Sequence, residues 1–218
     1  MKNLGPYEIN NIYAGECSEM MKALPDGCID LTVTSPPYDN LREYKGYVFD
    51  YKPVIEQLYR ITKPGGVVVW VVADATINGS ETGTSFKQAL YGMSVGFNLH
   101  DTMIYLRENP PPLNHNRYEQ SFEYMFVFSK GKPKTFKPIM EDTKTDRKYK
   151  SNWGRKDDYM VSSTGAERKT AKQKVKGNVF YYPISVGGAT KDKFAFEHPA
   201  IFPEQLAADH IYTWSNEG

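Results

Sequence analysis

Ser35, Pro36, Pro37 and Tyr38 set a hydroxyl, a stiffened backbone carbonyl and a phenol ring within four positions of one another. Proline fixes φ and carries no N–H, so the Ser35 hydroxyl and the Pro36 carbonyl are rigid acceptors with little conformational entropy left to lose. Two fixed acceptors beside an aromatic face are well suited to holding a planar base by its exocyclic amino group. The preceding run I-D-L-T-V-T alternates Ile29, Leu31 and Val33, which predicts a strand over 29–34. The prolines end it, because they cannot donate to a sheet ladder. Ser35 therefore stands at the carboxyl end of a strand, where ligands bind in an open parallel sheet. Downstream, a helical pattern from Val54 to Ile61, a K-P-G-G turn and the apolar run Val67–Val72 complete a βαβ unit.

At S-P-P-Y the chain resembles the DNA amino-methyltransferases, which carry (D/N/S)-P-P-(Y/F) in the catalytic loop and methylate cytosine N4 or adenine N6. The segment L-Y-R-I-T-K-P-G-G-V-V-V-W is similar to the same fold. The resemblance implies an α/β, Rossmann-like methyltransferase sheet. It also implies that Ser35 and the Pro36 carbonyl accept from the target amino group, that Pro37 stiffens the corner, and that Tyr38 stacks on a flipped base. An aromatic amine is a poor nucleophile because its lone pair is delocalised, and two acceptors draw the nitrogen toward a tetrahedral geometry. The methyl then passes in line from S-adenosylmethionine, with positioning and electrostatics supplying most of the catalysis.

Cofactor contacts follow from the same resemblance. Gly15-Glu16 stands where the family has a small turn near the adenosine, so Glu16 is expected to accept from the cofactor, with Thr34 at the strand end. F-E-H-P-A-I-F-P-E-Q-L-A, residues 196–207, is similar to the motif that closes over the methionine part. Its outline is matched by His198, Pro199, Ala200 and Pro203, with Pro203 beginning a helix.

Other patterns set the surroundings. A short strand is expected over Ile12–Glu16, a helix over Cys17–Leu24, and an aromatic wall or lid from Tyr44, Tyr47 and Phe49. Asp74 is expected to face the crevice from the end of the Val67–Asp74 strand. A helix over Phe86–Val95 carries Phe86, Leu90 and Met93 along one side, and strands are expected over Phe97–Leu106, Phe122–Phe128 and Val179–Ile184. The triple proline of residues 110–112 makes the connection before Phe122 a rigid loop. Its Asn109, Asn114, His115, Asn116 and Arg117 can donate to bases or phosphates.

Net charge is only +1, but Lys130–Phe180 holds fifteen Lys/Arg against six Asp/Glu, while the remainder is acidic. A basic segment on an acidic body is an electrostatic footprint for a polyanion. The segment is poor in aliphatics and carries W-G-R-K-D, so it is expected to be a basic target-recognition insert contacting double-stranded DNA, with Trp153, Arg155 and Lys156 as candidate contacts. The expected division is 1–130 catalytic half, 131–178 recognition insert and 179–218 return strand and cofactor helix. Cys17 and Cys28 have no metal spacing, and neither follows a proline as the nucleophile of cytosine-C5 methyltransferases does. No metal is expected. No apolar run approaches about 18 residues and no secretory signal is visible, so a cytoplasmic protein of bacterial or phage origin is expected.

The resemblance breaks at one place. In the class with this motif order the chain runs on into a D-P-F-x-G-x-G strand and turn that hold S-adenosylmethionine, and no such segment occurs here. The sheet is accordingly expected to be incomplete, with the cofactor strand supplied by a partner chain or a missing C-terminal segment. Three functions stand side by side: a DNA methyltransferase favouring cytosine N4, a catalytically incomplete DNA-binding module, and a glutamine-amide methyltransferase, which typically carries N-P-P-Y and needs no basic insert.

Overall fold

The run Val67–Val72 is at most 1% exposed at every residue, and a strand with no polar face has to be covered on both sides. The computed structural model describes residues 3–37, 39, 49–107, 116–144, 148–150, 167–184, 188–197 and 201–217. The chain divides into two compact units, Met1–Lys137 with Asn178–Gly218, and Pro138–Gly177. In chain order the first contains β1 (Asn3–Leu4), β2 (Tyr7–Glu8), α1 (Cys17–Lys22), β3 (Ile29–Thr34), α2 (Tyr51–Ile61), β4 (Thr62–Val72), β5 (Thr76–Ile77), β6 (Ser80–Glu81), α3 (Thr84–Val95), β7 (Asn98–Arg107) and β8 (Phe122–Ser129). The second holds β9 (Met140–Asp142), β10 (Lys148–Lys150), β11 (Glu167–Lys169) and β12 (Gln173–Val175). The chain then returns to the first with β13 (Val179–Tyr182) and α4 (Glu204–Trp214).

The main sheet runs β13-β7-β8-β4-β3, parallel at β3/β4 and β7/β13 and antiparallel through β8. This is the Rossmann-like α/β architecture that the βαβ pattern implies. Val68, Trp70 and Val72 face one side with Phe126 and Phe128, under Val54, Ile55, Leu58 and Ile61 of α2 and Ala89 of α3. Val67, Val69 and Val71 face the other side. Helix α4 packs against β3 and β4 and buries Leu206, His210 and Trp214.

Three local expectations change. The K-P-G-G segment is not a turn between elements but a bulge inside β4: Lys63–Gly66 lie opposite Asp30 alone, between the pairs Ile29↔Thr62 and Leu31↔Val67. Gly66 is required there, because a Cβ would stand 2.9 Å from the Asp30 carbonyl oxygen. No strand forms over Ile12–Glu16. Ile12 is 96% exposed with no neighbouring strand among the described residues, and Glu16 instead caps α1.

The third change concerns α3, which turns Phe86, Leu90 and Met93 outward and buries Ser85, Gln88, Ala89 and Gly92. The sheet beneath already presents Trp70, Phe126 and Phe128, so only small residues let the helix sit down. A Cβ on Gly92 would lie 3.0 Å from the Phe128 ring, and Trp70 Nε1 donates to Gln88 Oε1 at 2.7 Å. Among the described residues no helix is long and apolar enough to cross a membrane.

His210 is 2% exposed, and its Nε2 has no hydrogen-bond partner among the described residues. Burial pushes its pKa down to about 4, opposed only by the charge of Asp209. Above the unfolded value the ring is neutral in both states; as pH falls through 6.5 toward 4, only the unfolded chain takes up the proton. This should remove roughly 2 to 3 kcal/mol of stability between pH 7 and 4.5. Urea unfolding of wild type and His210→Leu at both pH values checks it, the variant being expected to lose less on acidification.

Candidate active site

The ladder between β3 and β4 ends with Val33↔Val69 and Thr34↔Trp70, so β3 finishes beside Trp70, two residues before β4 does. Beyond Thr34 the corner is half-buried at Ser35, buried at Pro36 and half-buried at Pro37. Pro37 lines a cavity of about 430 Å³ together with Gly15, Glu16, Cys17 and Phe49. The fold thus brings the turn at residues 15–17, one predicted lid aromatic and the proline corner to one place, although the corner stands 20 positions beyond Cys17 in the chain.

Each wall is held for a local reason. Glu16 accepts from the Glu19 amide at 2.9 Å and the Ser18 hydroxyl at 2.6 Å, both on Oε2, which caps α1. The far end of that short helix is fixed by Arg60 of α2, which donates to the Leu24 and Met21 carbonyls at 2.8 and 2.6 Å. Phe49 lies 6.4 Å from Trp70, ring centre to ring centre, so the core sets its position. Burial, and then the Glu16 carboxylate, raise the Cys17 thiol above its ordinary value, and burial raises Cys28. Both stay protonated at neutral pH, which does not suit a thiolate nucleophile.

A second cluster, which the sequence patterns do not anticipate, lies beyond β4. Asp74 does not face an open crevice: it is 5% exposed and accepts from the Ser85 amide at 2.9 Å and the Ser85 hydroxyl at 2.5 Å. The N-cap of α3 is Gly83, which has no side chain to offer, so Asp74 does the capping from the strand end. Between Asp74 and α3 rises the β5–β6 hairpin, turned by Asn78 at φ 49° and Gly79 at φ 78°. Two successive positive φ values are what a two-residue type I′ turn requires. The I-N-G-S run is a sequence signal for that turn. Asp39 reaches across to this hairpin, accepting from the Ala75 amide at 3.0 Å and from the hydroxyls of Thr82 and Thr84 at 2.6 Å each.

Of the remaining predicted residues, Thr34 is half-buried in the β3 ladder and does not line the cavity. Pro203 is buried as the N-cap of α4, one position before the helix starts. Arg117 donates to the Gly79 carbonyl at the hairpin tip and pairs with Glu81 at 3.9 Å, so its guanidinium is engaged within the protein. Tyr38, Tyr44, Tyr47, Asn109, Asn114, His115, Trp153, Arg155, Lys156, His198, Pro199 and Ala200 lie outside the described residues. Among the described residues no group of His, Cys, Asp or Glu is arranged to hold a metal.

Comparison with known proteins places this arrangement in a class. A family of DNA methylases matches residues 29–218. The orphan methyltransferase M.BamHII of Bacillus amyloliquefaciens is 51% identical over 207 residues, which cover 91% of this chain and 76% of that protein. The chain therefore belongs to the DNA methylase family. Among solved structures, the cytosine-N4-specific PvuII DNA methyltransferase has the same fold with a TM-score of 0.62, at 19% identity over 94% of this chain and 70% of that one.

Asp74→Asn keeps the shape of the side chain but turns one acceptor into a donor facing Ser85. The expected outcome in a urea titration is a loss of about 1 to 3 kcal/mol, the cost of unsatisfied buried polar groups.

Proposed function

We propose that the chain is the catalytic machinery of a site-specific DNA methyltransferase acting on the exocyclic amino group of a base swung out of the duplex. The observation that carries this reading is the meeting of Pro37, the last residue of the Ser35–Pro37 corner, with Gly15, Glu16, Cys17 and Phe49 around one cavity beyond the carboxyl end of β3. S-adenosylmethionine supplies the methyl group, and the donor set fits it: Phe49 and Pro37 offer apolar walls, and Glu16 sets a carboxylate on the rim. Ser35 and the Pro36 carbonyl accept from the amino group and turn its lone pair outward, while Tyr38 covers the ring of the base. Bound there, S-adenosylmethionine would supply an electrophilic methyl whose sulfur leaves as a neutral thioether, and the proton of the methylated amine would pass to solvent water. Cytosine N4 is favoured over adenine N6 because serine at position 35 is commoner in the cytosine members of the family.

The compact unit Pro138–Gly177 is the proposed DNA-recognition element. It holds eleven Lys/Arg against six Asp/Glu. The register of β10 with β11 sets Lys148 directly opposite Lys169. A second reading, a DNA-binding chain whose cofactor strand comes from a partner or a further segment, draws on β3. This strand is the last in the sheet, with no neighbour on its outer side among the described residues, and unpaired edges are usually covered.

The deciding experiment is transfer of labelled methyl from S-adenosylmethionine into DNA, followed by digestion to nucleosides. N4-methylcytosine is expected; no label in DNA, or label in a protein amide, would sink the proposal. Titration of S-adenosylmethionine into the chain alone separates the two readings, since only the first expects binding without added protein. Ser35→Ala should lower kcat by about 10² to 10³ while leaving cofactor affinity intact, by analogy with loss of one preorganised hydrogen-bonding group. Lys148→Gln with Lys169→Gln should reduce the slope of log K against log salt by about 2 in DNA binding.

A further inference from the structure

We propose that Asp39 is a positioning residue that fixes the Ser35–Pro37 corner by clamping the chain just beyond it to the neck of the β5–β6 hairpin. The inference rests on reading that corner as the base-binding element. The ladder that holds β3 ends at Thr34, so Ser35, Pro36 and Pro37 must keep their acceptors aimed from beyond the strand. Asp39 is the far anchor. Its own backbone is left-handed at φ 49°, a conformation aspartate tolerates better than most residues, and this turns its side chain back over the strand ends.

The clamp uses both carboxylate oxygens. Oδ2 accepts from the Ala75 amide at 3.0 Å and the Thr82 hydroxyl at 2.6 Å, and Oδ1 accepts from the Thr84 hydroxyl at 2.6 Å. The donors come from both legs of the hairpin, whose neck is closed by the Thr82 amide donating to the Ala75 carbonyl at 3.0 Å. Thr82 has one hydroxyl proton and two acids within reach. At 2.6 Å from Asp39 and 3.2 Å from Asp74 it belongs to Asp39, while Asp74 is satisfied by Ser85. The two acids thus divide the work: Asp74 holds the start of α3, and Asp39 ties the corner to the same frame.

Burial alone would raise the Asp39 carboxyl, but the Thr82 and Thr84 hydroxyls and the Ala75 amide outweigh it and hold it below the ordinary range. It is an anion and a pure acceptor at neutral pH. With both oxygens turned onto the scaffold, it aims the acceptors of the corner and does not itself take the amine proton. Such a tie matters because misplacing reacting atoms by about 1 Å can cost about 10²-fold in rate.

Three variants test it. Asp39→Asn presents an amide NH2 to a hydroxyl donor, and Thr82→Val with Thr84→Val removes two donors while keeping the carboxylate. Each should lower kcat by about 10²-fold with KM for duplex and affinity for S-adenosylmethionine changed less than about threefold. Combined, they should be no worse than Asp39→Asn alone, because they break one clamp. Thr84→Ser, which keeps the hydroxyl, should recover most of kcat. Amide exchange at Ala75 reads the clamp without activity: Asp39→Asn should speed it at least tenfold. Unchanged kcat in Asp39→Asn, additive losses, or unaltered exchange at Ala75 would each overturn the proposal. An inactive wild type would overturn the methyltransferase reading instead, and Ala75 exchange would still decide whether the clamp exists.

Discussion

The carboxyl end of the sheet is shaped by two neighbouring strands that stop for different reasons. β3 stops because Pro36 and Pro37 have no amide to give. β4 ends at Val72, and two positions beyond it stands Asp74, whose carboxylate cannot stay buried unless donors meet it. The amide and hydroxyl of Ser85 meet it, which fixes where α3 begins and leaves the intervening residues to form a hairpin. The corner after β3 and the hairpin after β4 therefore face one another, and Asp39 links them with three hydrogen bonds. The ends of the two strands meet in a network of carboxylates and short hydroxyl side chains.

Packing beneath that network determines how steady it is. α3 can begin at Thr84 and lie flat because its inner face is Ser85, Gln88, Ala89 and Gly92, which leave room for Trp70 and Phe128. The one polar group of Trp70 is satisfied by Gln88, so the aromatic layer costs no orphaned donor. On the near side Phe49 rests against Trp70 and so is aligned by the same core. The cavity wall and the helix that anchors Asp74 share one support.

Charge is partitioned along the chain in a way that suits two roles. The first unit carries the acids that brace and cap, Glu16, Asp39, Asp50 and Asp74, each accepting from a donor of its own fold. The second unit carries a cationic excess on short paired strands with little apolar content to stabilise them.

Local rules sufficed for β3, its proline stop, the apolar strand Val67–Val72, the β7–β8 pair and the family resemblance at S-P-P-Y, because alternation, proline chemistry and hydrophobic runs act over a few residues. Asn78-Gly79 is legible by the same rules and marks the hairpin. The inner face of α3 was not, since Phe86, Leu90 and Met93 have helical spacing and only the bulk of Trp70 and Phe128 across the interface turns them outward. Nor was the bond from Asp39 to Thr82, 43 positions away, or the burial of Asp74. Which oxygen meets which donor depends on how strands are laid beside one another, and that pairing is fixed by the whole sheet rather than by any stretch of sequence.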